Sequence, residues 1–277
     1  MQDIKKILKK YYGYDNFRSG QEDIIKNIIS GKDTLGIMPT GAGKSICYQI
    51  PAVYFEGTTI VVSPLISLMK DQVDTLNEIG ISATYINSSL SPNMFEIIYS
   101  NAKLGKYKII YVAPERLETD SFISLLKDIN ISQIAIDEAH CVSQWGHDFR
   151  TSYRKIAKVI DGLKKRPVVS AFTATATEVV KADIIKLLEL KEPFVLITSF
   201  DRENLYFSVE KVNDKIKYIE NYIKKYKDKS GIIYCATRKR VDEVYNFLNE
   251  KGYLVTSYHA GLSENQRTKS QEEFIFD

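Results

Sequence analysis

The chain has 277 residues, 44% of them apolar and 26% charged, with a net charge of +3. That length predicts about two domains, and the composition is ordinary for a globular protein. So small a charge does not by itself argue for nucleic acid, and no run of about 18 apolar residues exists to span a membrane.

The opening Met1-Gln-Asp-Ile-Lys-Lys6 has no apolar signal region, so a cytoplasmic address is expected. Next, Ser19-Gly-Gln-Glu22 reads as a capping box. It opens a helix with Ile24, Ile25, Ile28 and Ile29 on one face. From residue 33 strands and helices alternate, the pattern of a parallel sheet covered by helices. Strands are predicted at 33–38, 58–62, 82–86, 108–112, 131–136, 167–171 and 194–198, with helices at 66–79, 91–103, 115–127 and 177–188. A break at Ser199-Phe-Asp-Arg-Glu203 divides an α/β domain, 1–200, from a smaller unit, 201–277. That second unit reads as strands 205–210, 231–235 and 254–258 alternating with helices 213–226, 238–250 and 263–275. Cys47, Cys141 and Cys235 lie far apart, the wrong spacing for a zinc site or a disulfide framework.

Two segments carry chemistry. Met38-Pro-Thr40-Gly41-Ala42-Gly43-Lys44-Ser45 joins a strand to a helix, and Asp137-Glu138-Ala-His140 ends an apolar run. A glycine-rich turn before a helix presents N–H groups and a positive dipole end to phosphates. Lys44 would reach the β- and γ-phosphates, and the Ser45 hydroxyl would sit on Mg²⁺. Asp137 would hold the same metal through water, and Glu138 would polarise the attacking water. The two halves, carried on neighbouring strand tips, would converge on one triphosphate. The strict pattern has glycine where this chain has Met38.

Upstream, Tyr14, Arg18 and Gln21 offer a ring, a guanidinium and an amide to an adenine. The same residues must also form a turn and a helix cap, so either role is open. After the acidic pair, Gln144-Trp145-Gly-His147-Asp-Phe149-Arg150 alternates aromatics with cations, which suits stacking on unpaired bases. The plain alternative is a buried Trp in an ordinary loop. Ala171-Phe-Thr173-Ala-Thr-Ala-Thr177 could hydrogen-bond His140 and Glu138, while Thr177 caps a helix. Ser63-Pro64 and 111–117 follow strands on the edge where open α/β sheets bind ligands, and they face a phosphodiester backbone in this reading. Thr237-Arg238 and Tyr258-His259 do the same in the second unit.

These segments, in this order from about Tyr12 to the last residue, resemble the RecQ family of superfamily-two DNA helicases. The stretch Gln144 to Arg150 is the most specific, separating the family from RNA helicases that share the phosphate loop. The resemblance implies a RecA-like P-loop NTPase lobe followed by an incomplete second RecA-like lobe. It implies an ATP-driven 3′→5′ translocase acting on single-stranded and partially duplex DNA in repair and recombination, with ATP and Mg²⁺ as cofactors. Tyr14, Arg18 and Gln21 would clasp adenine. Thr40, Gly41, Ala42, Gly43, Lys44 and Ser45 would hold phosphate, with Lys44, Asp137, Glu138 and His140 catalytic and Ser45 and Asp137 on the metal. DNA contacts would come from Ser63, Pro64, Gln144, Trp145, His147, Phe149, Arg150, Thr173, Arg238 and His259. Glu203 stands where the family often has proline. The family's second lobe continues into two further motifs, one with an arginine that reaches the γ-phosphate. Such an arginine is worth ~10³–10⁵ in rate, so these 277 residues are expected to bind ATP better than they hydrolyse it.

Overall fold

A β-branched segment buried on both faces must find backbone partners in neighbouring strands, and the segments from Thr34 onward do so. The computed structural model describes residues 2–88, 90–199 and 204–276. The backbone clusters into two compact units, Met1–Arg202 and Glu203–Asp277. The first unit runs α1 (Gln2–Ile7), α2 (Gln21–Ile29), β1 (Thr34–Ile37), α3 (Lys44–Tyr54), β2 (Thr58–Val62), α4 (Ile66–Glu78) and β3 (Ala83–Ile86). It continues through α5 (Pro92–Lys103), β4 (Ile109–Val112), α6 (Asp120–Asp128) and β5 (Ile131–Ile136). It closes with α7 (Ile156–Asp161), β6 (Val168–Thr173), α8 (Glu178–Leu187) and β7 (Phe194–Ile197). The seven strands form one sheet in the order β3-β4-β2-β5-β6-β1-β7, and every pairing is parallel.

The two-residue period of a strand sorts its side chains into two layers. Ile60, Val62, Ile110 and Val112 face one core with Phe95 of α5 and Phe122 and Leu125 of α6. Val61, Ile109 and Tyr111 face the other with Ile24 of α2, Tyr48 of α3 and Met69 of α4. Met38 is fully buried in that second core. The departure from glycine at this position fills space between sheet and helix.

At the opposite end of the sheet from the phosphate loop, Asp33 is almost fully buried and its carboxylate has four donors. Arg166 gives two, to Oδ1 at 3.0 Å and Oδ2 at 2.6 Å. The Val169 and Lys191 backbone N–H groups give the others, at 2.9 and 2.8 Å. One side chain thus ties together the entries to β1, β6 and β7.

Three local expectations are corrected. Ser19 does not cap α2: the residue before the helix is Gly20 in the left-handed region (φ 79°), with no side-chain cap. Glu22 pairs with Lys26 at 2.8 Å instead. The helix expected at 115–127 breaks at Thr119, which is extended between a 3₁₀ turn, Pro114–Glu118, and α6. Finally, β6 runs on to Thr173, so the threonine segment starts inside the sheet.

The second unit contains α9 (Lys215–Lys225), α10 (Arg238–Glu250) and α11 (Glu264–Phe276). Residues 205–210, 231–235 and 254–258 form no strand among the described residues. A parallel ladder is non-local and gains stability only when neighbouring strands complete it. Here Tyr206, Tyr234 and Leu254 are exposed, and Val244 and Leu248 of α10 supply the buried contacts. The linker residues Phe200 to Glu203, with the Glu203 departure, lie outside the described residues. No described helix is long and apolar enough to cross a membrane.

Candidate nucleotide site and nucleic-acid loop

The phosphate loop follows β1 and the acidic pair follows β5, with β6 between them in the sheet. The expectation of neighbouring strand tips is therefore wrong by one strand. Both still lie at the C-terminal edge, where parallel sheets open to ligands. Lys44 is near enough to both acids for its charge to favour their ionised forms, although burial outweighs it at Asp137 and the His140 hydrogen bond leads at Glu138.

Gly41 (φ 83°) and Gly43 (φ 80°) take the left-handed backbone that closes the loop. A Cβ at Gly43 would lie 2.4 Å from the Gln21 side-chain nitrogen, so a larger residue would be strained by its φ and would push the Gln21 amide aside. That nitrogen donates to the Ala42 and Gly43 carbonyls at 3.1 and 3.2 Å, while Oε1 accepts from the Arg18 N–H at 2.8 Å. Arg18 Nη1 donates to the Gly41 carbonyl. Gln21 and Arg18 thus brace the loop, and the amide offered to adenine is engaged with backbone. With Leu8, Tyr14, Asn16, Gly43 and Ile46 they line a cavity of about 250 Å³ beside the loop. Lys44 Nζ donates to the Met38 carbonyl at 3.3 Å, a long bond for an ammonium group.

Asp137 is fixed by its backbone: its N–H donates to the Val62 carbonyl at 2.9 Å, and its carbonyl accepts from the Tyr153 hydroxyl at 2.9 Å. Burial, then the Glu138 charge, pushes its carboxyl up to about 6. A buried acid under this pressure suits a cation ligand. Among the described residues no cluster of three or more His, Cys, Asp or Glu could cage a metal. Without nucleotide and metal, the raised pKa of this carboxyl costs stability once the pH exceeds the unfolded value. The folded state holds its proton longer than the unfolded chain, whose ordinary value is 3.8, so stability falls as pH rises from about 4 to 6. Asp137→Asn should therefore stabilise the ligand-free protein at pH 8 by on the order of 1–3 kcal/mol, with little gain at pH 4. Paired thermal melts at the two pH values check this; a gain independent of pH would contradict it.

Glu138 has φ 48° and ψ 47°, a left-handed conformation uncommon for a residue with a side chain. Its carboxylate accepts from His140 Nδ1 at 3.3 Å, and that bond holds it below the usual glutamate range. His140 Nδ1 also lies 2.9 Å from Thr173 Oγ1. Thr173 Oγ1 donates to the Thr175 carbonyl at 3.1 Å, so the Nδ1 proton is the one shared with Thr173 and Glu138. Thr173 is fully buried. Its predicted DNA contact is thus replaced by a place in the relay behind the acidic pair. Thr177 caps α8, accepting from the Val180 N–H at 3.3 Å.

The His147 ring stacks on His140 with centroids 3.9 Å apart. Thr40, Pro64, Leu65, Glu138, His140, His147, Asp148, Ala174 and Thr175 together line a second cavity of about 340 Å³. Loops after β1, β2, β5 and β6 therefore meet around one space. Trp145 is 76% exposed, against the buried-Trp alternative, and Gln144 is exposed beside it. Phe149 lies under the Arg154 guanidinium at 5.0 Å. Arg150 donates to Asp148 Oδ2 at 3.1 and 2.9 Å and to the Pro64 carbonyl at 3.0 Å. Its predicted DNA contact competes with these bonds. Ser63 and Pro64 are both buried, so this turn meets solvent through Leu65 and Ile66 instead. Tyr153 joins the site only in three dimensions, since nothing local in the sequence marks it.

In the second unit, His259 Nε2 donates to Asp242 Oδ1 at 3.0 Å, and its Nδ1 accepts from the Gly261 N–H at 3.1 Å. Arg238 begins α10 behind Thr237, which accepts from the Arg240 N–H at 3.2 Å. A Cβ on Gly261 would touch both His259 and Arg238, so the two predicted residues share one corner of this unit.

Residues 18–182 match the DEAD/DEAH box helicase family, and residues 214–275 match the helicase conserved C-terminal domain. The ATP-dependent DNA helicase RecQ of Bacillus subtilis (strain 168) is 48% identical over 272 residues, 98% of this chain and 46% of that protein. A protein of Acanthamoeba polyphaga mimivirus, provisionally named an ATP-dependent RNA helicase, is 44% identical over 98% of this chain and 50% of its own. Among solved structures, helicase MrfA bound to DNA superposes with a TM-score of 0.73 at 19% identity, over 99% of this chain and 43% of that one. This last likeness speaks for the fold alone. The chain spans about half the length of the curated relatives it matches. With a nucleotide loop, an acidic pair and an aromatic loop converging on one cavity, the chain belongs to the DEAD/DEAH box helicase family and is RecQ-like within it.

Proposed function

We propose that this chain is the nucleotide-binding portion of an ATP-dependent DNA helicase that moves 3′→5′ on single-stranded DNA and opens partially duplex DNA in repair and recombination. The observation that carries the reading is the shared cavity, where Thr40 of the phosphate loop, Glu138, His140 and His147 of the aromatic loop line one space. Nucleotide chemistry and the base-stacking surface are then one stacked ring apart. Tyr14 offers its ring to the adenine end, in a cavity that Arg18 and Gln21 line while bracing the loop, and Gly41 to Ser45 cradle phosphate. Glu138 orients water, with His140 and Thr173 holding its carboxylate in position. Ser45 and Asp137 hold Mg²⁺, which supplies charge neutralisation and alignment of the transferred phosphoryl group. Trp145 stacks on unpaired bases, flanked by Gln144 and Phe149. In this reading residues 1–200 form the first lobe and 201–277 part of the second, in a cytoplasmic protein that is nucleoid-associated if the source is bacterial.

The mimivirus relative favours RNA as a second reading, so the polynucleotide must be tested directly. ATP turnover is measured alone, with oligo(dT) and with oligo(U), for the wild type and Lys44→Ala. Turnover stimulated by oligo(dT) above oligo(U), and abolished in Lys44→Ala, is the expected result. Equal turnover in Lys44→Ala would sink the assignment, and stronger activation by oligo(U) would move it to RNA. ATP binding without turnover would leave a nucleotide-dependent binding module.

A further inference from the structure

Ser143 is fully buried at the end of the 3₁₀ turn Ala139–Val142 that carries His140. Its hydroxyl donates to Asp183 Oδ2 on α8 at 2.6 Å and accepts from the Trp145 backbone N–H at 3.1 Å. The first of these has the length of a charge-assisted hydroxyl–carboxylate bond. Asp183 has no ion-pair partner among the described residues, so its carboxylate is committed to this hydroxyl.

The other end of the same turn is held by Thr173 of β6 through His140. One strand–helix segment, β6 with α8, therefore pins the turn on both sides. The aromatic loop then closes back on it without slack. The Gly146 N–H donates to the Ser143 carbonyl at 3.1 Å, and a Cβ at Gly146 would lie 2.3 Å from the His140 carbonyl oxygen. A displacement of Trp145 must pull on Ser143, on the His140 carbonyl, or on both.

We propose that Asp183 is a positioning residue for the nucleic-acid loop. Acting through Ser143, it fixes the Trp145 backbone so that a base stacked on the exposed indole shifts the His140–Glu138 pair. The proposal rests on the reading of the site as a DNA-coupled ATPase and adds the element that couples the two ends. Without the Asp183 carboxylate, the Ser143 hydroxyl loses its acceptor. The loop can then bind bases while moving independently of the turn.

The test compares wild type, Asp183→Ala, Asp183→Asn and Ser143→Ala in two measurements. One is ATP turnover with and without oligo(dT). The other is emission anisotropy of Trp145, the only tryptophan in the chain. Asp183→Ala and Ser143→Ala should keep basal turnover and lose stimulation by about 5-fold or more, the ordinary range of a coupling between sites. Their Trp145 anisotropy should fall. Asp183→Asn, whose amide oxygen still accepts from Ser143, should retain most of the stimulation and the anisotropy. Stimulation of Asp183→Ala equal to wild type would overturn the proposal, as would basal and stimulated rates that fall together without rescue by Asp183→Asn. A wild type that oligo(dT) does not stimulate would defeat the DNA-coupled reading separately. In that case, unchanged anisotropy in Asp183→Ala would still overturn the proposal.

Discussion

Replacing Glu138 with glutamine should lower ATP turnover by about 10²–10⁴-fold, the range over which a positioned acid or base acts, while ATP affinity stays near that of the wild type. The backbone at Glu138 is left-handed at φ 48°. Such a conformation costs of order 1–3 kcal/mol in a residue with a side chain and persists only where its surroundings hold it. Here the holder is His140, which donates to the carboxylate and keeps it ionised. Glutamine preserves the length and one acceptor for His140, so the relay and the cavity survive. It cannot take up a proton from water. Burial is the main cause of the raised Asp137 carboxyl, and removing the Glu138 charge relieves the rest of that pressure, so the variant should melt no lower than the wild type. Turnover measured beside titration with a fluorescent ATP analogue separates the two effects. Turnover within tenfold of wild type would remove Glu138 from the chemistry.

The second large effect concerns stability. Asp33→Ala should destabilise the first unit by about 3–5 kcal/mol, because it strips the partner from a largely buried arginine. It also leaves the Val169 and Lys191 N–H groups without their acceptor. For a unit of this size the loss corresponds to a fall of roughly 6–20 °C in melting temperature. Asp33 sits at the end of the sheet remote from the phosphate loop, so whatever protein remains folded should bind ATP as the wild type does. A melting temperature within about 2 °C of wild type would show that the four hydrogen bonds contribute less than such a buried pair normally does.

Much of the first unit was readable because its strands are short β-branched runs between turn residues. Thr58–Val62 and Ile131–Ile136 coincide with their predicted ranges, since nearly continuous, β-branched runs of that length are what buried parallel strands require. Strand order was not readable. The phosphate loop and acidic pair are contiguous motifs, but the insertion of β6 between β1 and β5 is a property of the whole sheet. The Asp33–Arg166 pair, 133 positions apart, left no local signal either. Ser19 looked like a cap, yet Gly20 takes the left-handed turn and Gln21 turns toward the loop carbonyls. Tertiary contacts overrode the local pattern there. Ser63 and Thr173 lie on the expected edge, but an edge position does not reveal whether a hydroxyl points outward or into the core. The second unit failed for a related reason. The apolar pattern of 231–235 fits a strand, while strand formation depends on neighbours that the segment does not carry in itself.

The central claim is that one ligand bridges the phosphate loop and the acidic pair. Equilibrium ATP binding, measured for wild type, Lys44→Ala and Asp137→Asn with Mg²⁺ and again with EDTA, tests it most directly. The account predicts that Lys44→Ala weakens binding in both conditions, whereas Asp137→Asn weakens it only when Mg²⁺ is present. Binding by both variants equal to wild type in Mg²⁺ would mean that the two motifs do not share a nucleotide, and the account would fail.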